Sequence, residues 1–252
     1  MQQQAHISKM ATNPAALQKH TDWPIKGITY AAAAYGLLAV MNMLAKVLAE
    51  NHHLIEIAFY RNIISVIPFL AFIVLTRKYH LFKTQKPKAL AARSIIGTIS
   101  LVTTFTAFTM LPMAETTVLL FTTTLIVPAL GFFILGERVG PHRWGAIIVG
   151  FVGVLFIVGL KGFTGTWLGI GIAIAAALMH ASLGLLLRFM KTESPVTITF
   201  YFVLTGTVLT GICMPFIAVT PTPFELLLLI ATGISGGLGQ FCLAGALRNA
   251  PI

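Results

Sequence analysis

The chain has 252 residues, of which 57% are hydrophobic and only 10% charged, with a mean hydropathy of +0.88. A soluble domain carries about a quarter charged residues, so this composition excludes an ordinary globular core and points to lipid as the solvent. The net charge of +10, from 17 basic and 7 acidic residues, does not imply nucleic acid, because the basic residues sit in short loops beside apolar runs.

Residues 1–27 are polar and contain no apolar core resembling a signal peptide, so a disordered tail is expected there. Eight apolar runs follow, near 28–49, 54–75, 89–110, 112–135, 143–160, 166–190, 194–219 and 223–248. A helix needs about 20 residues to cross a bilayer. Stretches such as Trp144 to Leu160 are apolar all round, which excludes the alternation of a membrane barrel. No loop is long enough for a soluble domain. Lys9, Lys19 and Lys26 precede the first run, and Arg77, Lys78, Lys83, Lys86, Lys88 and Arg93 lie at or near the second link. Arg138 and Arg143, Arg188 and Lys191, and Arg248 fall on the same side, and only Lys161 sits in a loop on the other. This asymmetry predicts a cytoplasmic N-terminus in a bacterial-type inner (plasma) membrane, with both chain ends on one side. Trp23, Trp144 and Trp167 stand at span ends, as an aromatic belt requires.

The runs repeat. Ile-Glu-Ile-Ala-Phe-Tyr at 55–60 resembles Val-Thr-Ile-Thr-Phe-Tyr at 196–201. Phe105, Leu111 and Ala114 align with Phe241, Leu247 and Ala250 at a constant offset, and Lys46 aligns with Arg188 after a one-residue slip. The first copy covers 28–160 in five spans, and 161–252 holds only the counterparts of its first three. An odd number of spans inverts the second copy, the build of many secondary transporters, whose site lies near the midplane between the halves.

Gly136-Glu137-Arg138, followed by Trp144, Gly150 and Gly153-Val154, resembles the signature joining helices 4 and 5 in the EamA family of the drug/metabolite transporter superfamily. Asn42 and Lys46, and Phe59-Tyr60-Arg61, resemble that family's first repeat. The resemblance implies an all-α membrane protein of inverted five-helix repeats. It implies a ten-helix transporter fold, expected to be truncated here to eight helices. It also implies a central cavity and cargo drawn from small metabolites.

Arg61 is the leading site candidate. It lies about 10 Å inside the second span at 1.5 Å per residue, where a charge costs about 2.5–3.5 kcal/mol on the lenient insertion scale. It either holds an anionic substrate group or fixes packing through a carboxylate or helix-end carbonyls. Asn42 lies at a similar depth and either orients Arg61, contacts substrate or bonds between helices. Tyr60 and Tyr201 are repeat-equivalent aromatics that stack on a ligand or pack. His180 near the middle of the sixth span is a candidate for proton coupling, and Gln240 in the eighth for substrate contact; packing is the alternative for the histidine. Lys46 and Glu56, at similar depths on neighbouring spans, are expected to form an ion pair or gate. Glu115 opens the fourth span where the helix dipole favours a carboxylate. The threonines at 103, 104, 116, 117 and 122–124 can bond their own helices. Gly165/Gly169 and Gly233/Gly237 have a spacing that permits close helix approach. Cys213 and Cys242 lie at different depths and are not expected to pair.

No catalytic motif is present, and His52-His53 lacks the further ligands of a metal site, so no enzyme activity, cofactor or metal is expected. The expected partners are the lipid bilayer and a small-molecule metabolite, with proton or ion coupling open and no nucleic acid. The reading is an inner-membrane secondary transporter of a small polar or anionic metabolite working by alternating access. A membrane-embedded enzyme and a non-transporting scaffold are the alternatives; the first lacks converging acids or ligands, and the second has no need of Arg61.

Overall fold

A computed structural model describes residues 24–135, 140–160, 166–190 and 192–249. Eight long helices carry it: α1 Pro24–Leu48, α2 Leu54–Leu75, α3 Pro87–Met110, α4 Met113–Leu135, α5 Pro141–Leu160, α6 Trp167–Phe189, α7 Pro195–Gly211 and α8 Pro223–Asn249. No strand occurs among the described residues. Six of the helices are long and apolar enough to cross a membrane, and α7 is a shorter apolar helix of 17 residues. The chain is an all-helical, multi-pass membrane protein. The Gly136-Glu137-Arg138 signature, the N-terminal residues 1–23, Arg138, Lys161, Gly165 and Ala250 lie outside the described residues.

Local chemistry sets the helix ends. Pro87, Pro195 and Pro223 stand at the first helical position, where the missing N–H costs nothing. His53 Nδ1 accepts from Ile55 N at 3.2 Å, Thr166 Oγ1 from Gly169 N at 3.1 Å and Ser194 Oγ from Val196 N at 3.3 Å. At the end of α2, Arg77 adopts a φ of 52°, so that Lys78 N reaches back to Ile73 O at 3.0 Å. The seventh run is not one helix to 219. It stops at Gly211 and resumes as a single turn over Met214–Ile217, because Pro215 lacks the N–H and Gly211 favours a break.

Successive helices alternate in direction, so two sets of connections face opposite ways: 76–86 and 192–194 on one face, 49–53 and 212–222 on the other. Helix α1 lies along α8; α2 packs on α7 and α8; α3 on α6 and α7; α4 on α6; and α5 on α4. Glycines on α8 permit close approach to α2. A Cβ at Gly233 would stand 2.6 Å from Ile64, and one at Gly237 2.8 Å from Ser65 Oγ. Large apolar side chains such as Ile28, Tyr35, Met43, Val149 and Trp167 face outward, whereas Arg61, Asn62, Ser65 and Arg93 are buried. Most threonines bond their own helix: Thr103 donates to Ile99 O and Thr104 to Ser100 O. Thr123 instead reaches Ala177 O on α6 at 3.2 Å.

Candidate functional site

Where α2, α3, α7 and α8 meet, the interior is polar. Arg61 lies seven residues into α2 and is fully buried. Arg93 lies six residues into α3, which starts from the opposite face, and is 2% exposed. Their depths differ, but their long side chains converge on one ring. The Arg61 guanidinium carbon is 5.1 Å from the centroid of Phe202, and that of Arg93 is 4.7 Å from it. Phe202, from the middle of α7, is buried and seated against α3, where a Cβ at Gly97 would meet it at 2.8 Å.

Each guanidinium has a fixed acceptor. Arg61 Nη1 donates to Asn62 Oδ1 at 2.6 Å, and Nη2 donates to the Gly236 carbonyl at 3.3 Å. Arg93 Nη2 donates to Gln240 Oε1 at 3.1 Å. The absence of a side chain at 236 is required, since a Cβ there would lie 2.5 Å from Arg61 Nε. Below Arg61, the Ser65 hydroxyl lies 2.6 Å from Gly233 O and 2.7 Å from Arg61 O, tying α2 to α8. Among the described residues no carboxylate lies within ion-pair distance of either arginine. Ring contacts of this kind contribute about 0.5–2 kcal/mol each, against the about 2.5–3.5 kcal/mol that each buried charge costs. The ring alone therefore does not offset the burial.

The sequence candidates are distributed unevenly. Arg61 and Gln240 are brought into this cluster. Arg93, read from sequence as a loop charge, belongs inside it; so do Asn62 and Phe202, which sequence reasoning missed. Asn42 is half-buried on α1 and is not a partner of Arg61, whose acceptor is the adjacent Asn62. Tyr60 packs edge-on against Phe59, 5.7 Å between centroids, and against the apolar cluster of Met41, Ala45 and Ile57. Tyr201 is directed elsewhere, its hydroxyl donating to Phe82 O at 2.7 Å near the 76–86 face. His180 is half-buried on α6, and no hydrogen bond among the described residues joins it to either arginine.

The expected Lys46–Glu56 ion pair is not formed. Lys46 Nζ donates to Leu111 O at 3.2 Å. Glu56 turns instead to His52, with Oε2 3.3 Å from Nδ1, while its Oε1 accepts from Val219 N at 3.2 Å. The i, i+4 spacing makes His52 a nearer partner than a lysine on another helix. His52 Nε2 is 3.5 Å from Glu225, which also accepts from Asn51 Nδ2 at 3.0 Å. This network joins the 49–53 connection to the start of α8. A second network joins the opposite face. Glu193 Oε1 accepts from Gln85 N at 2.7 Å, Thr84 Oγ1 at 3.0 Å and Lys86 N at 3.2 Å, holding the start of α3. Thr197 donates to Leu81 O at 2.9 Å beside it. No three-ligand metal cluster occurs among the described residues, and the two cysteines are free.

Residues 25–159 match the sequence pattern of the EamA-like transporter family. The chain is 30% identical over 236 residues to an S-adenosylmethionine uptake transporter of Rickettsia prowazekii (strain Madrid E), spanning 90% of this chain and 79% of that protein. It is 25% identical over 225 residues to the pseudopaline exporter CntI of Pseudomonas aeruginosa (strain UCBPP-PA14), spanning 88% and 78%. A solved crystal structure shares its fold with a TM-score of 0.67 at 19% identity, over 88% of this chain and 79% of that one.

Proposed function

This chain belongs to the EamA-like transporter family and is a membrane transporter of a small metabolite, and from that premise we propose a secondary transporter of a small anionic metabolite, working by alternating access in a bacterial-type inner membrane. The observation that carries the anionic reading is the pair Arg61 and Arg93 on Phe202, buried with no carboxylate in ion-pair reach among the described residues. Such a pair is held for a charge the protein does not itself supply. Arginine suits this role, since its planar fork matches carboxylate and phosphate groups. Gln240 steadies Arg93, and Asn62 steadies Arg61.

The packing supports an inverted duplication. Exchanging α1 with α6, α2 with α7 and α3 with α8 converts the α1–α8 contact into α6–α3 and the α2–α8 contact into α7–α3, and both occur. The exchange also relates the two end networks. Glu193 aligns with His52, and the capping residue Ser194 with His53. Lys86-Pro87 aligns with Thr222-Pro223. Each face thus carries one polar latch from a connection onto the start of α3 or α8. Opening one latch at a time exposes the arginine pair to one side at a time, which is alternating access. The lysines at 78, 83, 86 and 88 mark the 76–86 face as cytoplasmic.

Reconstituted liposomes test this reading with labelled metabolites. S-adenosylmethionine, the compound in the Rickettsia relatives' names, carries sulfonium and ammonium cations besides its carboxylate, so two uncompensated guanidiniums favour organic anions over it. Uptake of at least one organic anion, abolished by Arg61→Ala, is expected. Uptake of S-adenosylmethionine alone would leave a transporter but remove the anionic reading.

A further inference from the structure

Several donors around Phe202 are left without an acceptor. Among the described residues, Arg61 Nε, Arg93 Nε and Nη1, and Asn62 Nδ2 are buried donors without an acceptor. Three acceptors next to them are already engaged: Asn62 Oδ1 and Gly236 O by Arg61, and Gln240 Oε1 by Arg93. Neither Gly206 nor Gly97 can carry an acceptor side chain of its own. A Cβ at Gly206 would lie 2.4 Å from Asn62 Nδ2, and one at Gly97 would meet Phe202. The buried carboxylates nearest in the fold are committed at the two faces, Glu56 to His52 and Glu193 to the start of α3. Both guanidinium carbons lie about 5 Å from a single ring centroid, so they are at most about 10 Å apart. One small molecule can span that separation.

Building on the transport reading above, we infer that the cargo presents two negative charges on oxygen atoms, one to each arginine, with Phe202 between them as a fixed spacer. A single charge would leave one guanidinium buried and uncompensated, the costly arrangement in a low-dielectric interior. A dianion satisfies both, and its acceptor oxygens meet the unpartnered Nε and Nη1 donors. The same chemistry is offered by a phosphate monoester and by a short dicarboxylate. Phe202 is then a specificity residue, because it sets how far apart the charges must lie.

Thermal unfolding of the purified, detergent-solubilised chain tests this at matched ionic strength, so that screening is equal in every sample. The probes are succinate, glutarate, glycerol phosphate, acetate, butyrate and the uncharged succinamide. Dianions are expected to raise the midpoint, and the monoanions and succinamide to leave it within error. A shift with the dicarboxylates alone assigns two carboxylates, and one with glycerol phosphate alone assigns a phosphate. Arg93→Gln should remove the preference, giving equal, small shifts with succinate and butyrate; Arg93→Lys should retain part of it. Should Arg93→Gln not fold, the wild-type series decides alone. Shifts with monoanions equal to those with dianions would overturn the two-charge inference and leave the anion transporter standing. A shift with succinamide as large as with succinate, or with no probe at all, would remove both.

Discussion

Arg93 is six residues from the start of its helix, close enough to a basic link to pass for one more loop charge. It is buried at 2% exposure, and its guanidinium lies over the same Phe202 ring as that of Arg61. The transport consequence is direct. Arg61→Lys and Arg93→Lys keep the charge but lose the fork, so uptake should fall about tenfold or more, the equivalent of one charge-assisted hydrogen bond (about 1.5–3 kcal/mol). Expression and membrane insertion should be unchanged, as judged by immunoblot of membranes. Normal uptake by both variants would return the arginines to a packing role. Gln240→Leu should lower uptake less than either, because it removes only the acceptor that aims Arg93.

At the scale of elements, α8 is the helix whose glycines permit everything else. Gly233→Ala would set a Cβ 2.6 Å from Ile64, and overpacking of this kind costs about 1–3 kcal/mol. Its unfolding midpoint in detergent should drop well below wild type. Gly36→Ala on α1 is the control: nothing lies within 4 Å of its Cβ, so its midpoint should stay or rise slightly. A G233A midpoint equal to that of G36A would contradict the close α2–α8 packing. Much at this scale was legible in the sequence. Hydropathy placed α3 at 89–110 against Pro87–Met110 and α8 at 223–248 against Pro223–Asn249, because a bilayer fixes the length of each run. The break after Gly211 was hidden, since Met214–Ile217 stays apolar through the turn. The site was half legible. A charge deep in a run, like Arg61, announces itself, whereas Asn62 and Phe202 acquire their meaning only from contacts with residues distant in the chain. The Lys46–Glu56 expectation failed for the same reason: equal depth does not say which side chains face each other.

For the whole molecule, the account requires two latched faces and a polar centre between them. The proposed orientation, with the 76–86 connection cytoplasmic, rests on the lysines of that connection. A cysteine at His53, which is exposed, should react with an impermeant thiol reagent in intact cells in a background of Cys213→Ala and Cys242→Ala. One at Lys83 should react only in inverted vesicles. The opposite pattern would reverse the orientation without touching the site. His52→Ala releases the link between Glu56 and Glu225 and should raise reactivity of the interior from the His53 side.

The central claim is that the Arg61–Phe202–Arg93 centre is a path and not a sealed core. Ser94 tests it most directly. It is 1% exposed, lies one turn from Gly97, which holds the Phe202 ring, and its hydroxyl has no partner. Ser94→Cys changes one atom in the same cysteine-free background. Its modification by an impermeant thiol reagent is measured in right-side-out and in inverted vesicles. The account predicts slow labelling from both sides, because each latch opens in turn. Absence of labelling from either side, with a surface cysteine in the same vesicles fully labelled, would contradict it and leave the two arginines as packing.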